Sequence, residues 1–241
     1  MEKVDRLNAI IEILRSSSSR LQKVLIQKEK GPFRIAEVIR LAREGGVPYV
    51  VVPKRKLDLM APDNQGAVAL IASKEYAPLE DILASARNPF LVLLDEVEDP
   101  QNLGAIIRSA ECAGADGVIL PERRSAGLSE TVLTVSSGAA EHLPVARVTN
   151  LGRVMDELKE RGIWLVGAEG GHAEMWFEFD YTGPTGIVLG SEGRGLRRLV
   201  REKCDRLLSI PVFGRVNSLN VAAAAAVFLF EVARQRHSKK E

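Results

Sequence analysis

The chain has 241 residues, 46% apolar and 27% charged, with a formal net charge of +1, the balance of a globular protein of one large domain or two small ones. Its longest strongly apolar run, Val221 to Phe230, covers 10 residues, too few to cross a bilayer, and the charged opening MEKVDRLN lacks the apolar core of a secretory signal. The two cysteines, Cys112 and Cys204, lie far apart and form neither a disulfide framework nor a zinc spacing, so a protein of the reducing cytoplasm, without membrane or metal, is expected.

In chain order, Val4 to Arg15 reads as a helix with Leu7, Ile10, Ile11 and Leu14 on one face. LQKVLIQ reads as a strand, FRIAEVIRLAREGG as a helix ending in glycines, VPYVVVP as a strand, LDLMA as a short helix and GAVALIAS as a strand. These make an α/β module over residues 1–75, which carries 14 Lys+Arg against 9 Asp+Glu, while the rest carries 19 against 23. A basic first third suggests contact with a polyanion. Residues 76–88, with Pro78 and a short helix, read as the linker.

From residue 89 the pattern restarts. FLVLLDEV is a continuous apolar strand, as in a parallel sheet covered on both faces. A helix follows over DPQNLGAIIRSAECAGA, with Asp99 as N-cap and Pro100 in its first turn. DGVILP, PVARV, IWLVGAE, TGIVLG and RLLSIP are further strands, alternating with a helix or pair of turns over SETVLTVSSGAAEHL and with helices over LGRVMDELKERG and LRRLVREKC, and an alanine-rich helix closes the chain. Such alternation describes a parallel α/β domain over residues 89–241.

Three polar clusters fall at carboxyl ends of these strands, where open α/β sheets hold ligands. The first contains Asn102, Gly104 and Arg108, the last two one helical turn apart. An arginine there could grip a phosphate bidentately or pair with Glu111 or Glu98. The second is GSEGRGL, with Gly190, Gly193 and Gly195. Its G-x-x-G-x-G spacing, and the lack of an acid about 20 residues on, argue against a dinucleotide site. The third is GRVNSLNV, whose Asn217, Ser218 and Asn220 either cap the last helix or hold a ligand. His142, His172 and His237 have no metal spacing, Trp164 and Trp176 read as packing residues, Cys112 as core, and the tail RQRHSKKE as a frayed helix end.

NLGAIIRSAE, VLGSEGRGL and IPVFGRVNSLNVAAA together resemble the three ordered motifs of the SpoU (TrmH-like) RNA 2′-O-ribose methyltransferases of the SPOUT superfamily, from Leu91 to the C-terminus. Residues 1–75 resemble the ribosomal-protein-like (L30e-like) substrate-binding module of the family's large-subunit ribosomal RNA enzymes. NQGAVA matches its usual H-Q-G-V-V-A with Asn64 in place of His, and Leu7 stands where relatives have glycine. The resemblance implies a C-terminal domain with a deep trefoil knot, a homodimer, an RNA partner and S-adenosylmethionine as cofactor. It places Gly190, Ile210 and Leu219, with Ser218, Gly195 and Ala168, at the cofactor. Asn102, Arg108, Glu192 and Asn220 match the family's polar site residues, while Ala222 replaces a serine common in relatives. The family makes Arg108 the activating base; a guanidinium that stays protonated could instead clamp the adjacent phosphate, leaving Glu192 as proton acceptor. The implied reaction is 2′-O-methylation of a ribose in structured RNA, most of all large-subunit ribosomal RNA, at guanosine or uridine. A transfer RNA or antibiotic-resistance methyltransferase, and an inactive RNA-binding relative, are the alternatives.

Overall fold

The computed structural model describes residues 2–28, 34–171 and 174–238. Contacts between Cα atoms group residues 1–75 with 127–142 in one unit, and residues 76–126 with 143–241 in a second. Among the described residues no helix is long and apolar enough to cross a membrane.

The first unit is built on a four-stranded sheet of β1 (Glu2–Val4), β2 (Leu21–Gln27), β3 (Tyr49–Val52) and β4 (Ala67–Ile71), in the order β1-β4-β2-β3. Only β2 and β3 run parallel to each other. Helices α1 (Leu7–Ser16), α2 (Arg34–Glu44) and α3 (Lys54–Met60) connect the strands. The helix expected from Val4 begins at Leu7 instead, because Glu2–Val4 pairs antiparallel with β4. The first free amide of α1 is satisfied from a distance, Leu7 N–H donating to Gln65 Oε1 at 3.0 Å, which no local sequence signal shows.

The second unit contains α4 (Leu79–Ser85), β5 (Phe90–Leu94), α5 (Pro100–Cys112) and β6 (Gly117–Pro121). The chain then supplies α6 (Glu130–Val135) and α7 (Ala139–His142) to the first unit. It continues through β7 (Val145–Val148), α8 (Leu151–Glu160), β8 (Trp164–Ala168), β9 (Thr185–Leu189), α9 (Arg198–Lys203), β10 (Arg206–Leu208) and α10 (Val221–Ser238). The six strands are parallel, in the order β10-β8-β9-β5-β6-β7. All five residues of β5, β6 and β9 are buried, as continuous apolar runs require. The connections reverse direction between β5 and β9, so the loops after these neighbours diverge and open a crevice at their carboxyl ends.

Residues 76–88 are packed rather than extended. Ala77 N–H donates to Val145 O at 2.9 Å, and Ile82, 2% exposed, joins Leu91, Leu93, Met155 and Leu165 in the core. A Cβ on Gly117 would lie 2.6 Å from the Ile82 side chain, so that glycine makes room for the helix.

Two expectations need correction. Cys112, read as core, is exposed, because it is the last residue of α5 while the apolar stripe buries Ile106, Ile107 and Ala110. The tail is anchored as far as Ser238. Gln235 Nε2 donates to Phe179 O at 3.0 Å, and the Arg236 guanidinium donates to four backbone carbonyls. Trp164, read as packing, lies against Phe179 with ring centres 6.0 Å apart and planes tilted by 55°, yet is 47% exposed. His142 is held by Glu12 at 3.1 Å, His237 by its own helix, and His172 lies outside the described residues.

Candidate functional site

The carboxyl ends of β8, β9 and β10, with the start of α10, enclose a cavity of about 500 Å³, within the range of small-molecule sites. All six residues expected at the cofactor, Ala168, Gly190, Gly195, Ile210, Ser218 and Leu219, line it. Leu189, Val221 and Phe228 add apolar wall, and Glu192, Asn217 and Asn220 add polar groups.

The glycine-rich loop is shaped by backbone. Ser191 and Gly195 exchange two hydrogen bonds, N–H to O at 3.2 Å and 3.0 Å, closing a tight turn. Gly193 and Gly195 adopt φ of 79° and 65°, a region that costs residues with a Cβ. A Cβ on Gly190 would lie 2.2 Å from the carbonyl carbon of Gly195. The loop is tied to the sheet by Asp95, fully buried at the end of β5, which accepts from the backbone N–H of Arg197 at 2.8 Å and from its Nε at 2.7 Å. The Asp95 hydrogen bond raises the Arg197 pKa above the usual arginine value.

At one end of the cavity the three motifs meet. Asn102 Nδ2 donates to Glu192 Oε1 at 2.9 Å, and Asn220 Nδ2 donates both to Asn102 Oδ1, at 2.9 Å, and to Glu192 Oε1. Asn220 also caps α10, its Oδ1 accepting from Ala222 N–H at 2.9 Å. Capping and site-building, alternatives in the sequence, are thus performed by one amide. The cluster divides the first cavity from a second of about 390 Å³, lined in part by Glu96, Glu98, Asp99 and Arg194. Arg108 stands apart: it is exposed on α5 and lines neither cavity. Six positions beyond Asn102, it is about 120° round the helix and about 9 Å along it.

Glu169 was missed from sequence. It follows β8, lines the first cavity and pairs with Arg201. Asp95 was missed as the anchor of the loop, although its place at the end of an apolar strand is the available signal. Neither thiol is poised for nucleophilic chemistry: burial pushes the Cys204 pKa up to about 12, and burial and then Glu111 raise that of Cys112. Among the described residues no group of three His, Cys, Asp or Glu is placed to hold a metal ion.

The residues fit a nucleoside-bearing sulfonium: a mainly apolar wall, a backbone cradle that a single Cβ would fill, and carboxylates and amides at one end. Comparison with known proteins agrees. Residues 89–230 match the SpoU rRNA methylase family, and residues 7–77 match the RNA 2′-O ribose methyltransferase substrate-binding family. The Bacillus subtilis TrmH family tRNA/rRNA methyltransferase YacO is 45% identical, over 95% of this chain and 94% of the relative. The SpoU methyltransferase AviRb from Streptomyces viridochromogenes, crystallised with S-adenosylmethionine, superposes with a TM-score of 0.81 at 31% identity, covering 98% of this chain and 90% of that one. An S-adenosylmethionine-bound rRNA methyltransferase from Sinorhizobium meliloti gives 0.78 at 25% identity, covering 97% and 87%. A backbone-cradled cavity sealed by the meeting of three motifs, in a chain matched nearly end to end, places this protein in the SpoU family of S-adenosylmethionine-dependent RNA methyltransferases.

Proposed function

We propose that the protein methylates a ribose 2′-hydroxyl in structured RNA, with large-subunit ribosomal RNA as its target. It works as a cytoplasmic homodimer whose C-terminal chain is threaded into a trefoil knot. The observation that carries the chemistry is the Asn102–Glu192–Asn220 cluster between the two cavities. The match of residues 7–77 to the substrate-binding family supports an RNA-capturing role for residues 1–75, joined through 76–88 to the methyltransferase domain of 89–241.

The cofactor supplies a methyl group on a cationic sulfur, bound by the loops around Gly190, Ile210 and Leu219. The protein's share is alignment and proton management. Two amides fix the Glu192 carboxylate, leaving its other oxygen to accept the proton of a hydroxyl placed beside it. Asn102 and Asn220 hold each other and Glu192, so none of the three can turn away alone. Calorimetry is expected to show binding of S-adenosylmethionine and S-adenosylhomocysteine but not of NAD. Ribose-methylation mapping of RNA from cells with and without the protein is expected to reveal one lost 2′-O-methyl group in large-subunit ribosomal RNA. Loss of a base methyl, or of a transfer RNA mark, would overturn the corresponding part of the reading.

Arg108 is exposed and lines neither cavity, which supports action on the site of a second copy. Phe213, Val216 and Phe230, exposed by 94%, 71% and 50%, are apolar residues a second copy would cover. Arg108→Ala and Glu192→Gln are each expected to lower the rate by roughly a hundredfold. Mixing the two inactive variants should restore about a quarter of wild-type activity, since half the dimers then contain one complete site. No restoration would place Arg108 with its own chain's cavities.

A further inference from the structure

The second cavity carries a charge pattern that the cofactor does not explain. Its lining includes three acidic residues, Glu96, Glu98 and Asp99, and one arginine, Arg194. Among the described residues neither Glu98 nor Arg194 has a hydrogen-bond or ion-pair partner. Glu96, 8% exposed, is clasped by Arg124 and Arg197, each at 3.3 Å. Glu96 and Arg124 have φ of 61° and 55°, a left-handed backbone that is unfavourable for both and is kept where surroundings enforce it, often at binding sites. Carboxylates repel a phosphodiester but accept from hydroxyl and N–H groups, the donors a nucleoside carries on its sugar and base edge. Arginine does the reverse, its planar fork matching a phosphate. Neutral donors are therefore welcome at the acidic wall and an anion at Arg194, with Glu192 shared between the two cavities.

We propose that this second cavity receives the nucleotide to be methylated, with the Arg194 guanidinium on the phosphodiester next to the target ribose and the Glu98 carboxylate accepting from a donor on its sugar or base. The assignment rests on the reading that RNA ribose is the substrate. It makes Arg194 an RNA contact distinct from Arg108, and the Glu96 ion pairs a brace for the wall facing the nucleotide.

The test uses the full chain, with deproteinised large-subunit ribosomal RNA and bulk transfer RNA as separate probes. Filter binding is measured over a range of salt, and methyl transfer in single turnover. Arg194→Ala is expected to weaken binding of the preferred RNA roughly tenfold and to make the slope of log affinity against log salt shallower by about 0.7 to 0.9, the signature of one lost phosphate contact. Arg194→Lys should retain the slope, and Glu98→Gln should weaken transfer without changing it. Affinity for S-adenosylmethionine should stay within about twofold in all three variants, since a phosphate contact leaves cofactor binding alone. An unchanged salt slope in Arg194→Ala, or an equal loss of cofactor affinity, overturns the assignment. If the wild-type protein methylates neither RNA while Arg194→Ala still flattens the slope, the proposed activity fails and the phosphate grip stands.

Discussion

Gly190→Ala is expected to weaken S-adenosylmethionine binding by more than about a hundredfold, or about 2.7 kcal/mol. The added methyl has no empty space: its carbon would lie 2.2 Å from Gly195 C, 2.3 Å from Gly195 O and 2.4 Å from Leu196 N. These are backbone atoms, so no rotamer change relieves the clash, and the turn closed by Ser191 and Gly195 must open. Opening moves Glu192, which sits inside that turn, away from Asn102 and Asn220. The same substitution at Gly193 separates shape from strain. Nothing lies within 4 Å of its Cβ position, but φ is 79°, so Gly193→Ala costs only the left-handed penalty of about 1–2 kcal/mol. Calorimetry on both variants, with circular dichroism to show that each is folded, is the measurement. Gly190→Ala binding within about threefold of wild type would mean that the turn is not the cradle, a difference of well under 1 kcal/mol.

The alternation of elements was legible because each carries its own local period. FLVLL and GVILP are apolar throughout, TGIVL is apolar after Thr185, and all three are buried along their length, and Asp99 caps α5 as its position before Pro100 suggests, accepting from Gln101 N–H at 2.9 Å. What escaped was set by partners distant in sequence. β1 has three residues and exists because β4 offers an edge. Helix α1 starts where Gln65 reaches it. The region 127–142, read as a helix or pair of turns within the methyltransferase domain, groups with the first unit, an assignment that no local pattern encodes.

The site shows the same division. The motif glycines mark the cradle because a sharp backbone turn has a sequence signature. The convergence of Asn102, Glu192 and Asn220 has none, since 90 and 118 residues separate the first from the other two. It follows from strand order: β9 lies beside β5, which brings the loop after one against the helix after the other. Asn220 completes the set by spending its oxygen on α10 and its nitrogen on the cluster. Asn220→Asp would keep the cap and remove the donor, placing a second carboxylate against Glu192. A helix-capping role alone would leave that variant active, whereas the cluster described above requires the amide.

Arg236→Met is expected to destabilise the protein by about 3 kcal/mol, because backbone carbonyls stripped of a charged donor lose about 1–3 kcal/mol each when buried and these remain partly reachable by water. Arg236 Nε donates to Tyr181 O at 3.1 Å, Nη1 to Asn88 O at 2.9 Å, and Nη2 to Pro89 O at 3.1 Å and Gly183 O at 2.7 Å. Its guanidinium also lies 5.2 Å from the centre of the Phe90 ring. Those carbonyls come from the segments entering β5 and β9, so one side chain at the end of α10 staples the last helix to the two central strands. Burial lowers the Arg236 pKa below the usual arginine value, with Asp116 opposing; the group stays charged at neutral pH. Methionine fills similar volume but offers no donor, and the melting temperature should fall by about 8 °C for a chain of this size. Arg236→Lys should recover part of the loss, since an ammonium has three donors but not the planar spread that spans four carbonyls. Arg234 is the control: among the described residues its guanidinium pairs with Glu231 on its own helix and with no other, and Arg234→Ala should leave the melting temperature nearly unchanged. Thermal denaturation of the three variants decides the matter. If Arg236→Met melts within about 2 °C of wild type, under 1 kcal/mol for a chain of this length, the end of α10 is not the staple these hydrogen bonds describe.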